Sequence, residues 1–191
     1  MKGGLEPPNL KGQPMLAQHL EQPLYDPQTV QPLREEFTRM GFRELLTPED
    51  VDSCLGQLKG TTLLVLNSVC GCATGVARPG VAFALQHQVI PDHLVTVFAG
   101  MERAAVERTR SYLKGHSPSS PNIALFKDGE VVAMLERQDI KDQSPELVTE
   151  ALTAAFDRAC TRPGPSVPPE EFAELLQQAG CGTRIPRIDG R

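Results

Sequence analysis

The sequence predicts an α/β domain, a mixed four-stranded sheet core flanked by helices, with extra helices at its N-terminal end. Three observations carry this. Two continuously apolar runs, Leu63-Leu64-Val65-Leu66 and Leu94-Val95-Thr96-Val97-Phe98-Ala99, each precede a stretch of helical period. Such runs read as strands buried on both faces. The Asp128-Gly129 pair separates two further apolar runs, a strong hairpin signal because the turn requires positive φ. Strands joined by helical crossovers must be parallel, with right-handed connections, while the hairpin strands pair antiparallel. Helices on both faces of that sheet are the compact solution.

Each element has a local reason. Residues 1–24 hold four Pro and three Gly with little periodic hydrophobicity, and read as a flexible tail. Asp26 can cap a helix whose first turn accepts Pro27; Val30, Leu33, Phe37 and Met40 then share one face, and Gly41 ends it. Thr47-Pro48-Glu49-Asp50 starts a second helix, with Val51, Cys54, Leu55 and Leu58 as its apolar stripe and Gly60 as its stop. Thr61 to Asn67 is the first buried strand. Ala73 to Gln88 is helical in pattern with a bend expected at Pro79, which lacks an N–H. The second buried strand is Leu94 to Ala99, and Glu102 to Lys114 is a charged helix. Strands Asn122 to Lys127 and Glu130 to Leu135 flank the hairpin turn, and helix Pro145 to Cys160 closes the domain at 25–160. Thr161 to Pro169, with four Pro in nine residues, reads as a linker that resists helix and sheet. A short helix from Glu170 to Ala179 and a tail with Cys181 complete residues 170–191.

Composition narrows the function classes. A chain of 191 residues with net charge -5 has no Lys/Arg run or interleaved aromatic stripe, which argues against nucleic-acid binding. The N-terminal residues lack the apolar core of a secretory signal, and no apolar run approaches the roughly 20 residues of a membrane span. The expected compartment is therefore the cytoplasm, with no membrane partner. There, five Cys are catalytic, metal-binding or inert rather than a disulfide framework.

The chemistry concentrates at Cys70-Gly71-Cys72. Cys70 sits where a buried strand ends and a helix begins, so unpaired helix N–H groups stabilise its thiolate. A strand-to-helix turn also presents the side chain at the carboxyl edge of the sheet. Cys72, two residues on, is close enough to resolve a mixed disulfide formed on Cys70. A Cys-Gly-Cys disulfide would close a small, strained ring, so exchange or isomerisation is favoured over reduction of stable disulfides. Gly71 is expected to make the turn tolerable through its free choice of φ. Ser120-Pro121 precedes the hairpin and, in this topology, lies opposite the Cys turn; a cis bond there would leave the Ser120 backbone to meet substrate. Arg78 is a candidate to hold substrate carboxylates or the Cys70 thiolate. Cys54 and Cys160 read as packed, inert thiols, and His87, His93 and His116 as surface or boundary residues. The pair could instead supply two ligands to a metal, which needs about two more.

The string Asn67-Ser68-Val69-Cys70-Gly71-Cys72-Ala73, followed by Ala77-Arg78-Pro79, resembles the bacilliredoxin family. So do Thr96-Val97-Phe98-Ala99-Gly100, Pro118-Ser119-Ser120-Pro121 and Leu152-Thr153-Ala154-Ala155-Phe156-Asp157, over roughly Val30 to Cys160. The resemblance implies a thioredoxin-like fold and an oxidoreductase that removes bacillithiol from S-bacillithiolated proteins. It implies Cys70 as the attacking thiol and Cys72 or a free thiol as the resolving one. Bacillithiol is then a co-substrate rather than a bound cofactor, with a recycling reductase as a further possible partner. A general disulfide isomerase and a non-enzymatic metal carrier are the alternatives.

Overall fold

A computed structural model describes residues 22–57, 59–178 and 185–188. Residues 1–21, Leu58 and Cys181 lie outside the described set. The core is a mixed sheet of order β1-β4-β2-β5-β6, built from β1 (Arg43–Glu44), β2 (Thr61–Asn67), β4 (His93–Phe98), β5 (Asn122–Lys127) and β6 (Glu130–Leu135). The central β2 is parallel to β4 and antiparallel to β5, and β5 is antiparallel to β6. This is the mixed sheet expected, with one strand more. The extra edge strand β1 has two residues, too few to show any period, and pairs parallel with β4.

Alternation along β2 explains why its run is apolar throughout. Leu63 and Val65 enter one core with Val81, Leu152 and Phe156; Leu64 and Leu66 enter the other with Val95, Val97, Val51 and Leu55. The first core lies under α3 (Arg78–Ala84) and α6 (Pro145–Ala159), and the second under α2 (Pro48–Val51) and α4 (Arg103–Tyr112). Helix α1 (Pro27–Thr38) starts as read: the Asp26 side chain accepts from the Thr29 N–H, and Gly41 leaves it with φ of +93°. Thr47 and Asp50 form a reciprocal capping box on α2. Asp128 and Gly129 both take positive φ, 50° and 89°, as a tight hairpin requires.

Four departures from the sequence reading have local causes. The helix expected over Ala73 to Gln88 begins as a wide π turn, Ala73–Ala77, and runs as α-helix only to Ala84. Arg78 N–H reaches back five residues to Ala73 O, and the wider turn accommodates Pro79, which has no N–H to place. The second helix likewise widens into a π turn over Asp52–Gly56. A one-turn helix α5 (Arg137–Ile140) follows β6, too short for a periodic signal. The Pro-rich 161–169 stretch is docked rather than free of sheet. Its β7 (Arg162–Pro163) pairs with β3 (Val89–Ile90), Gly164 N–H donates to Gln88 O at 2.9 Å, and Val167 is buried. A Cβ on Gly164 would lie 2.0 Å from His87 O, so only glycine permits that approach. Beyond it, α7 (Pro169–Gln178) buries Leu175 in the first core and sets Phe172 edge-on to Phe83.

Candidate active site

The end of β2 is pinned before the cysteines arrive. Asn67 is buried; its Nδ2 donates to Leu33 O at 3.2 Å and its Oδ1 accepts from Ser68 N–H at 2.8 Å. The chain then turns, and Cys70 O accepts from the N–H groups of Ala73 (3.0 Å) and Thr74 (3.1 Å), which starts the helical turn. Four groups converge on Cys70 Sγ. Ser68 Oγ lies at 3.2 Å, Ala73 N–H at 3.3 Å, Arg137 Nη1 at 3.3 Å and Cys72 Sγ at 2.7 Å. Both cysteines are half-buried and free.

The two thiols titrate in opposite directions. Burial opposes ionisation of Cys70, but the Cys72 thiol, Ser68, the Ala73 N–H and Arg137 overcome it, and the net pKa is lowered. Cys72 is pushed up to about 11 by its own burial and by the charge it faces on Cys70. One sulfur is thus the thiolate and its neighbour the proton holder.

Arg78 has a different place from the one its charge suggests. It is 2 % exposed, and each guanidinium nitrogen is engaged. Nε donates to Glu36 Oε2 at 2.6 Å, Nη1 to Asn67 Oδ1 at 3.3 Å and Ser68 O at 3.2 Å, and Nη2 to Thr74 Oγ1 at 2.6 Å. Four of its five N–H donors are thus committed, and at 2 % exposure Arg78 is not accessible to a substrate carboxylate. It ties the strand end before the cysteines to the helical turn after them. Burial raises the pKa of Glu36 despite the facing Arg78.

Gly71 also differs from its expected role. It takes no positive φ, and a Cβ there would meet nothing within 4 Å. The turn does not depend on glycine's freedom; a Cβ at the exposed Gly71 would point into open space. The Ser120-Pro121 bond is cis, as expected. Ser120 is brought to the Cys turn through Arg137, whose Nη1 donates to Ser120 O at 2.7 Å as well as facing Cys70, so that carbonyl is already engaged.

Arg137 is the site residue that sequence reading missed. No local pattern marks it. The signal is topological: β6 runs parallel to β2, so the residues just after Leu135 reach the edge where β2 delivers Cys70. Cys54 and Cys160 are buried, and burial raises the pKa of Cys160. His87 and His116 lie half-exposed but pair with carboxylates distant in sequence, Asp157 at 2.7 Å and Glu136 at 3.0 Å. His93 contacts Lys59 O at 3.2 Å. Among the described residues no three His, Cys, Asp or Glu side chains gather as a metal site would require, and no helix is long and apolar enough to cross a membrane.

Residues 25–160 match the model of the family described as disulphide isomerase. A bacilliredoxin of Halalkalibacterium halodurans is 48% identical over 136 residues, 71% of this chain and 94% of its own. One of Geobacillus kaustophilus is 51% identical over 138 residues (72% and 94%), and one of Staphylococcus aureus 46% over 137 (72% and 94%). With the whole domain matched and half its residues shared, this chain belongs to the bacilliredoxin family and is a thiol–disulfide oxidoreductase.

Proposed function

We propose that the chain removes bacillithiol from S-bacillithiolated proteins, with Cys70 as the attacking thiolate. The observation that carries this reading is the split pair at the turn: a Cys70 sulfur stabilised by four neighbours, 2.7 Å from a Cys72 thiol that stays protonated to about 11. Cys70 thiolate attacks the bacillithiol sulfur of the mixed disulfide, a Cys70–bacillithiol bond forms, and the cargo–sulfur bond breaks. The cargo leaves as a thiolate and takes its proton from water. No net oxidation occurs in this step.

The adduct then activates its own resolution. Of the causes that raise the Cys72 pKa, burial remains, but both contributions from Cys70 disappear once that sulfur is tied in a disulfide. Cys72 ionises more readily, attacks Cys70 and releases bacillithiol, leaving a Cys70–Cys72 disulfide for a reductase. A second bacillithiol can resolve the adduct instead, giving bacillithiol disulfide and free Cys70. The exposed Gly71 sets no side chain between the cysteines to crowd the bulky thiol. Such a cycle belongs in the cytoplasm, where thiols are kept reduced.

The test incubates a bacillithiolated and a glutathionylated carrier protein with wild type, Cys70→Ala and Cys72→Ala, and follows release and trapped adducts by mass spectrometry. Cys70→Ala is expected to lose release altogether, and Cys72→Ala to accumulate the Cys70 adduct when free bacillithiol is withheld. Release that survives without Cys70 would overturn the mechanism. Equal rates on both carriers would replace bacillithiol removal by general disulfide exchange.

A further inference from the structure

We propose that Arg137 is a catalytic residue with two successive partners. It is the counter-charge of the Cys70 sulfur in the resting protein. Once that sulfur is tied in an adduct, it turns to a carboxylate on the thiol held there, so the site favours anionic thiol adducts over neutral ones. The proposal rests on the reading of Cys70 as attacker and extends it to recognition of the adduct.

The geometry supplies the first partner. Arg137 Nη1 lies 3.3 Å from Cys70 Sγ and 2.7 Å from Ser120 O. Its backbone is held firmly: its N–H donates to Asn122 Oδ1 at 3.2 Å, and Glu136 and Asp139 cap the turn reciprocally. His116 and the Ser117 N–H engage Glu136 in turn. The side chain is therefore aimed from a fixed root, as a preorganised donor should be.

The second partner follows from what Arg137 lacks. Arg34 pairs with Glu44 and Glu102, Arg78 with Glu36, and Arg108 with Asp52. Among the described residues no ion pair includes Arg137, whose negative neighbour is the Cys70 thiolate. When Cys70 gives its electron pair to the incoming sulfur, its charge leaves with the departing cargo thiolate. A half-buried guanidinium then faces a neutral disulfide and one carbonyl. A carboxylate carried by the small thiol restores the lost charge pairing, and charge-assisted bonds to Arg are about twice as strong as neutral ones. Arg78 cannot take this part because its nitrogens are engaged. Gly71, exposed between the two cysteines, adds no side chain to crowd the adduct.

The experiment compares the full chain as wild type, Arg137→Gln and Arg137→Lys in two readouts. The first is the pH midpoint of Cys70 alkylation by iodoacetamide, resolved from Cys72 by peptide mass spectrometry. It uses no mixed disulfide, so it stands independently of the bacillithiol reading. The midpoint is expected to move to higher pH in Arg137→Gln, with Arg137→Lys between. The second is the release rate from one carrier protein bearing bacillithiol, glutathione or 2-mercaptoethanol. Wild type should favour the two anionic adducts by about tenfold, the scale of one charge-assisted hydrogen bond, and Arg137→Gln should lose that preference. Should Arg137→Gln not fold, Arg137→Lys carries both readouts with the same signs. An unchanged midpoint, or a preference that survives in a folded Arg137→Gln protein, would overturn the proposal. Failure of wild type on bacillithiol alone, with the midpoint still shifted, would instead sink bacillithiol as substrate.

Discussion

Two arginines flank the same cysteine turn and do opposite work. Arg78, behind it, is buried, paired with Glu36 and bonded to both ends of the turn. Arg137, in front, is half-buried, pairs with no carboxylate among the described residues and faces the reacting sulfur. The back arginine spends its hydrogen bonds on holding a loop in one shape. The front arginine keeps its charge for a group that changes charge during the reaction. A cation's sequence position says little about which of these it is; its partners decide.

The largest effect that can break this comparison is on stability. Arg78→Met leaves the partly buried Glu36 without its counter-charge and frees Ser68 O and Thr74 Oγ1, so a loss of about 2–4 kcal/mol is expected by urea denaturation. Glu36→Gln, which retains a hydrogen-bond acceptor, should cost less than Arg78→Met. Arg137→Gln, by contrast, should cost under about 1 kcal/mol, as half-exposed charges do, while moving Cys70 reactivity. If the two arginines exchanged these outcomes, the division between back and front would be wrong.

Two glycines sharpen the comparison on a smaller scale. A Cβ on Gly80, in α3 behind the turn, would lie 2.7 Å from the Val148 side chain and 3.0 Å from Pro145 O. Gly80→Ala should therefore destabilise by about 1–3 kcal/mol through overpacking, read as a lowered denaturation midpoint. Gly71→Ala meets open space and no positive φ. It should stay within about 0.5 kcal/mol of wild type, while slowing attack on bulky adducts if that space receives the small thiol.

Much of this fold was legible because its central strands carry their reasons locally. β2, β5 and β6 were bounded correctly from apolar runs ending at turn residues, and the Asp128-Gly129 hairpin from the φ values it requires. The place of the proposed nucleophile was legible for the same reason: Cys70 follows a buried strand and opens a helix. The remainder depends on residues distant in sequence. Arg78 stands beside Pro79 as a lone cation among small and apolar residues, and its burial rests on partners led by Glu36, 42 positions away. Arg137 meets Cys70 across 67 positions, through strand pairings that set which loops share an edge. Linker composition misled for a similar cause: prolines forbid interior strands, yet Arg162–Pro163 serves as an edge pair.

The measurement that tests the account most directly is the pH profile of alkylation at each cysteine of the wild-type dithiol protein. The Cys70 pKa is lowered in the folded chain, so its thiolate is present above that lowered value and is lost only as pH falls through it. Unfolding should erase the advantage. Cys70 is therefore expected to be modified first, with a midpoint below that of an ordinary thiol, while in molecules whose Cys70 is still unmodified Cys72 reacts appreciably only as pH approaches about 11. Equal midpoints for the two cysteines, or Cys72 reacting first, would contradict Cys70 as the attacking sulfur.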